Sequence, residues 1–295
     1  MIPLTVLIGV DGSDTALEAA RSWAHWQGNP GALRIALFSA APPPPHFWAE
    51  PGIDPRRIEV GLLSLGARQI EAASGLFADT QLAWTSRVGV GPAAEVIVAE
   101  AVKVGAELVV LGTRGLSPLR GLLIGSVALR VAQTSPMPVW LRPMRAFPIK
   151  ALGEALTVLC PVDGSVNAER AARWIGQAAP HFGDVTVELL SVQPPFSLAE
   201  GLLDALPQRL DHWSQRVGAA AINSARAALP ATGLRLRELV RTGDAIEEID
   251  RRADEIDADV IVLGTRGLGA LGQALLGSVS GGLLQTGTRT MILVP

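Results

Sequence analysis

Leu4-Thr-Val-Leu-Ile-Gly-Val-Asp-Gly-Ser13 returns, with two residues changed, as Leu156-Thr-Val-Leu-Cys-Pro-Val-Asp-Gly-Ser165. The offset is 152 positions, and it holds elsewhere. Val110-Leu-Gly-Thr-Arg-Gly-Leu116 reappears as Val262-Leu-Gly-Thr-Arg-Gly-Leu268, and Gly125-Ser-Val127 as Gly277-Ser-Val279. A constant spacing across such distant matches leaves almost no net insertion between the halves. Duplication produces that; chance does not. The seam falls near Met144–Gly153, where Arg142-Pro-Met-Arg-Ala-Phe-Pro148 carries two prolines and no clear period. The expected organisation is a domain over residues 1–143, a linker over 144–153 and a second domain over 154–295.

Each half alternates between strand and helix patterns. Leu4–Val10 is a continuous, β-branched apolar run, as in a strand buried on both faces. A helix over Asp14–Trp26 follows, then a strand at Leu33–Ala40, closed by Pro42–Pro45. A long helix near Pro55–Phe77, a strand near Leu82–Val88 and a helix over Pro92–Val104 come next. Glu107–Gly112 reads as a fourth strand, Gly125–Gln133 as a helix and Pro138–Leu141 as a fifth strand. The second half matches, with strands near Leu156–Val162, Val185–Val192, Leu234–Val240, Asp259–Gly264 and Thr290–Val294. Strands alternating with helices imply right-handed crossovers and a parallel sheet covered on both faces. The fold expected is α/β: two tandem, doubly wound, five-stranded parallel-sheet domains. The apolar fifth strands end the order and are expected as sheet edges, which invite pairing.

Composition narrows the function. The 295 residues are 48% apolar and only 18% charged, yet no apolar run reaches the ~18–20 residues needed to span a bilayer. With Lys+Arg 25 against Asp+Glu 28, there is no basic surplus for a nucleic-acid backbone. The opening Met1–Asp11 lacks the basic start of a signal peptide, and the lone Cys160 cannot form an internal disulfide. A soluble cytoplasmic protein is expected, with neither nucleic acid nor membrane as partner. His25, His46, His181 and His212 show no ligand spacing, so no metal site is expected. Cys160 lies in a buried strand and reads as an inert core thiol.

In an open α/β sheet, ligands bind beyond the carboxyl ends of the strands, where strand order reverses. Two strand ends per half carry unusual residues. The first ends in Val10-Asp-Gly-Ser13 and its twin in Val162-Asp-Gly-Ser165. The fourth ends in Gly112-Thr-Arg-Gly115 followed by Gly125-Ser126, and its twin in Gly264-Thr-Arg-Gly267 followed by Gly277-Ser278. Glycines at 112 and 115 allow a sharp turn and a close backbone approach to a ligand. Gly125 and Ser126 open a helix, whose unpaired N–H groups favour an anion. Asp11 and Asp163 are acceptors placed for a ribose hydroxyl or a bound metal. Such a loop is also a common way to turn a corner. A Walker A loop is absent, since neither Lys103 nor Lys150 follows a glycine. The Rossmann-like glycine spacings at Gly89 and Gly267 are incidental, because neither follows the first strand of its unit or has a full twin.

These residues together resemble the universal stress protein family in its tandem, ATP-binding form, over about Leu4–Pro143 and Leu156–Pro295. The resemblance implies a Rossmann-like fold of the adenine-nucleotide alpha-hydrolase type and an adenine nucleotide, ATP with or without Mg, in each domain. It would place Val10, Asp11 and Gly12, with Val162, Asp163 and Gly164, near ribose and base. Backbone around Ala40 and Val192 would line the adenine pocket. Gly112, Gly115, Gly125, Ser126 and Val127 would cradle phosphates, as would Gly264, Gly267, Gly277, Ser278 and Val279. Arg114 and Arg266 would screen phosphate charge. Ser280 would add a donor that Ala128 lacks, predicting a weaker first site. Family members dimerise through the fifth strand, which implies an internal pseudo-dimer of the two halves and leaves room for a homodimer of the chain. The implied role is regulation in stress or growth-state response, with at most slow ATP hydrolysis. The alternatives are a nucleotide-independent interaction module, or a relative of ATP pyrophosphatases and adenylating enzymes. The latter would place its phosphate loop after strand one, where Val-Asp-Gly-Ser departs from their Ser-Gly-Gly-x-Asp-Ser.

Overall fold

The computed structural model describes residues 2–43, 54–113, 124–143, 146, 152–153, 155–195, 206–230, 233–265, 276–286 and 289–295. The first repeat runs β1 (Leu4–Gly9), α1 (Asp14–Ala24), β2 (Leu33–Ala41), α2 (Pro55–Ser74), β3 (Ala83–Val90), α3 (Ala93–Lys103), β4 (Leu108–Gly112), α4 (Ser126–Thr134) and β5 (Val139–Arg142). The second runs β6 (Ala155–Pro161), α5 (Val166–Ala178), β7 (Asp184–Gln193), α6 (Leu206–Ala228), β8 (Arg235–Thr242), α7 (Ala245–Glu255), β9 (Val260–Gly264), α8 (Ser278–Thr286) and β10 (Thr290–Val294). The element sequence is the one the hydrophobic periods predict.

Within each repeat every strand pair is parallel. The two sheets then join. The strand order is β3-β2-β1-β4-β5-β10-β9-β6-β7-β8, a single ten-stranded sheet. Among the described residues its only antiparallel ladder joins β5 to β10, with Trp140 opposite Ile292. The expectation that the fifth strands form sheet edges is therefore corrected. Each ends its own repeat, but the two satisfy one another and lie at the centre. The outer edges are β3 and β8, and β8 carries Arg235, Arg237, Glu238 and Arg241, charges that discourage further pairing.

One consequence is that the cores divide by sheet face rather than by repeat. Alternation along β1 sends Val6 and Ile8 to one face and Leu7 to the other. The first face is covered by α1, α2, α5 and α6, with Trp23, Ala73, Ala171 and Ile222 in one cluster. The second is covered by α3, α4, α7 and α8, with Ile97, Val131, Ile249 and Leu283 in another. Both clusters contain residues of both repeats.

Aromatic rings close the seam on the first face. Trp23 meets Trp140 edge-on at 5.2 Å and Phe182 at 6.1 Å, while Trp26 meets Phe182 at 5.6 Å. Trp23 and Trp140 are fully buried, and neither indole N–H has an acceptor among the described residues. An unsatisfied buried donor costs ~1–3 kcal/mol, so ring burial across the seam must outweigh that cost. Main-chain groups add to it. Gln27 donates its N–H to Leu152 at 2.9 Å, and a His181 ring nitrogen lies 3.2 Å from the Ala32 carbonyl.

The second repeat has a larger ion network than the first, where Glu100 pairs with Arg87 and Lys103 at 3.4 Å each. Glu188, 2% exposed on β7, receives a bidentate pair from Arg252 of α7 at 2.6 and 2.8 Å. Arg252 also reaches Glu255, which pairs with Arg241 of β8, and Arg241 reaches Glu248. The positions 152 earlier are Ala36 for Glu188, Gly89 for Arg241 and Val96 for Glu248. Hydrogen bonds from Arg241 and Arg252 hold the Glu255 carboxyl at about 2, against an ordinary 4.5.

Two expectations follow from this packing. Because both cores cross the seam, Trp23→Ala should cost about 3–5 kcal/mol and lower the stability of the whole chain in a single transition, seen alike by calorimetry and urea unfolding. The depressed Glu255 carboxyl contributes stability that is full above pH 4.5 and is lost as pH falls toward about 2. The stability advantage of the native chain over Glu255→Gln should therefore shrink across that window in urea titrations.

Candidate functional site

The crevice starts at the end of β1. Val10 continues the ladder by donating its N–H to the Phe38 carbonyl at 2.9 Å. The chain then turns sharply. Asp11 Oδ1 accepts from the Ser13 N–H at 3.0 Å and from its hydroxyl at 2.5 Å, Gly12 takes a φ of +80°, and Ser13 Oγ accepts from Ala16 N to cap α1. The second repeat builds the same turn with Val162, Asp163, Gly164 at +81° and Ser165 as the α5 cap. Each residue type in Val-Asp-Gly-Ser thus has a local reason: an Asx turn, a left-handed glycine and an N-cap. The turn employs one oxygen of each aspartate.

Next to it ends β4, its direct neighbour in the sheet. A Cβ on Gly112 would lie 2.6 Å from the Thr15 carbonyl carbon and 2.8 Å from Ala16 N, both in the first turn of α1. At Gly264 the clash would be with Asn167 of α5, at 2.7–2.8 Å. The missing side chains of Gly112 and Gly264 make room for a helix N-terminus in close packing on the strand end.

The residue after each glycine clamps the loop. Thr113, 2% exposed, donates its N–H to the Arg142 carbonyl at 2.9 Å and accepts from Gly125 N at 2.5 Å. Thr265 does the same with Val294 and Gly277, at 2.9 and 2.8 Å. Both ends of the loop are thereby tied to one strand terminus. These threonines escaped the sequence reading, although the repeated Gly-Thr-Arg-Gly displayed them.

From that clamp α4 begins, with Gly125 as its N-cap in extended conformation. Side chains of Ser13, Asp54, Ser165 and Asp244 cap α1, α2, α5 and α7; α3 and α4 have no side-chain cap. The N–H groups of Ser126, Val127 and Ala128 fall in the first turn, where no helical carbonyl can receive them. Because α1 covers one face of the sheet and α4 the other, the β1 and β4 ends flank the point where the winding reverses. Ala40 lies half-buried near the end of β2, and Val192 occupies the matching place in β7.

The structure thus places Val10, Asp11 and Gly12 after β1, and Gly112, Gly125, Ser126 and Val127 around the end of the neighbouring β4, with their twins placed likewise. Arg114, Gly115, Arg266 and Gly267 lie outside the described residues. The Ser280 hydroxyl, 3% exposed, donates to the Gly264 carbonyl at 3.0 Å and pins α8 to β9. Ala128, at the matching place in α4, has no hydroxyl for such a stitch. Cys160 is fully buried, which pushes its thiol up to about 12 and keeps it unreactive.

The universal stress protein family model matches this chain twice, over residues 4–143 and 155–295. The chain belongs to the universal stress protein family and carries its domain in tandem. A Thermus aquaticus protein, the universal stress protein in QAH/OAS sulfhydrylase 3'region, is 31% identical over 140 residues, 46% of this chain and 96% of its own length. The universal stress protein structure from Archaeoglobus fulgidus shares the fold across both repeats, with TM-score 0.64 at 17% identity over 98% of this chain and 95% of that one. A universal stress protein in complex with cAMP is 26% identical over 48% of this chain and 97% of that one, with TM-score 0.33. Among the described residues, no helix is long and apolar enough to cross a membrane.

Two glycines test these assignments in opposite directions. Gly112→Ala should cost about 1–3 kcal/mol by forcing the first turn of α1 off β4. In α8, a Cβ on Gly281 would meet nothing within 4 Å, and the first repeat has Leu129 at that place. Gly281→Ala should therefore gain about 0.5–1 kcal/mol, measured for both variants as urea midpoints.

Proposed function

We propose that each repeat holds one adenine nucleotide, ATP with or without Mg, in the crevice between its first and fourth strand ends. The observation that carries this reading is the uncapped N-terminus of α4, held beside the Asp11–Gly12 turn by the Thr113–Gly125 hydrogen bond. An anion is the natural acceptor for such N–H groups, and the carboxylate across the crevice suits a sugar hydroxyl. Ser126, Val127, Gly125 and Gly115 would hold phosphates, with Arg114 screening their charge. Val10, Asp11 and Gly12 would border the ribose, and the backbone at Ala40 the base. In the second repeat the holders would be Gly277, Ser278, Val279, Gly267 and Arg266, with Val162, Asp163, Gly164 and Val192. Ser280 would support the helix rather than touch the ligand.

In this reading the chain is a cytoplasmic regulatory protein of stress or growth-state response. Nucleotide acts as a ligand that stabilises one conformation, and hydrolysis is slow at most. The β5–β10 ladder serves as the interface of an internal pseudo-dimer, leaving further dimerisation to other surfaces.

Native mass spectrometry of the purified chain should find bound adenine nucleotide, up to two per chain. ATP at a hundredfold excess over its Kd should raise the Tm by at least about 5 °C. Gly125→Val and Gly277→Val place a branched side chain at each helix mouth. At Gly125 valine suits the backbone, with φ −75° and ψ 153°. Each should abolish one site. An unchanged Tm with ATP and with cAMP would instead favour a nucleotide-independent interaction module.

A further inference from the structure

The duplicated crevices differ at one position whose chemistry bears on recognition. Gln69, half-buried on α2, packs over the β1–α1 turn: a Cβ on Gly12 would touch its Cγ at 3.4 Å. Its Oε1 accepts a 2.6 Å hydrogen bond from the hydroxyl of Ser39, a fully buried residue immediately before Ala40. Gln69 therefore bridges the ends of β1 and β2, the two strand ends that border the nucleoside side of the crevice. With Oε1 accepting from Ser39, Nε2 is directed away from that bond. Its Nε2, a double donor, meets no acceptor among the described residues.

The second repeat is built otherwise. The position 152 later is Ala221, which packs over Gly164 in the same way, with a Cβ contact at 3.6 Å. Ser191, the counterpart of Ser39, accepts from Nε2 of Gln193 on its own strand at 3.0 Å, and Gln193 is 9% exposed. That amide is spent inside the sheet. The surrounding frame is the same in both repeats: Gly66 and Gly218 admit Val88 and Val240, where a Cβ would meet Cγ1 at 2.4 and 2.5 Å. Both long helices thus approach the sheet closely, and the Gln69 amide is a difference that faces this end of the crevice.

We infer that Gln69 is a specificity-determining residue of the first crevice, donating from Nε2 to an acceptor on the nucleoside portion of the ligand. Among the described residues the second crevice has no equivalent donor at that place, where Ala221 stands. This rests on the nucleotide reading above. The two sites are then unequal by construction: the first discriminates among nucleosides by hydrogen bonding, and the second chiefly by shape and phosphate.

The test uses the full-length chain carrying Gly277→Val, so that the first crevice is measured alone by calorimetric titration with ATP and with AMP. Gln69→Leu keeps the contact over Gly12 and removes the donor. It should weaken ATP and AMP alike by about fivefold, the value of one ordinary hydrogen bond. Ser39→Ala, which frees the amide to rotate, should give a smaller loss. In a chain carrying Gly125→Val instead, Gln69→Leu should leave ATP affinity of the second crevice unchanged. If ATP binds with unaltered affinity after Gln69→Leu, the assignment falls while the nucleotide reading stands. A loss confined to ATP, or equal at both crevices, also overturns it, pointing to phosphate contact or to general destabilisation. If the native chain binds no nucleotide at all, both readings fall together.

Discussion

Main-chain hydrogen bonds between β5 and β10 turn two duplicated sheets into one. A fifth strand standing alone would present a row of unpaired N–H and C=O groups along an apolar edge. Meeting its own copy in antiparallel register removes both edges at once. This requires the repeats to be related by a rotation about an axis through the sheet, which carries α1 and α5 to one face and α4 and α8 to the other. The shared cores, the aromatic seam of Trp23, Trp140 and Phe182, and the opposite directions of the two crevices all depend on that single ladder.

At each crevice, glycine serves geometry in more than one way. Gly12 and Gly164 turn the chain through a left-handed conformation, whereas Gly112 and Gly264 let a helix terminus rest on a strand end. The first of these follows from local turn chemistry. The second is a contact between segments nearly a hundred residues apart, and a sequence motif shows only that a side chain is missing there. The same holds for Ser280, whose hydroxyl is directed to the Gly264 carbonyl by the way α8 seats on β9.

Duplication has been followed by divergence that leaves the frame intact. Close approaches of α2 and α6 to their sheets repeat at Gly66 and Gly218, and the threonine clamps repeat at Thr113 and Thr265. What has changed lies around them. The Glu188–Arg252–Glu255–Arg241 network of the second repeat stands where the first has Ala36, Glu100, Lys103 and Gly89, and the second carries Gly281–Gly282 in place of Leu129–Arg130. Gly282 admits Ile246, where a Cβ would lie 2.2 Å from its Cδ1. A pair of sites sharing one backbone plan has thereby acquired different side-chain surroundings.

Much of this was legible in the residues themselves. The constant offset gave the duplication. Period-2 and period-3.6 patterns gave the order of strands and helices, and Asp-Gly-Ser together with Gly-Ser marked where helices begin. These features are local, so short stretches of chain encode them. The joined sheet, the cores shared by face, the helix that fills the space at Gly112, and the placement of Gln69 over Gly12 were decided only in three dimensions. Hydrophobic periodicity says which face of an element avoids water. Which surface covers that face depends on segments far away in the chain, and packing alone selects them.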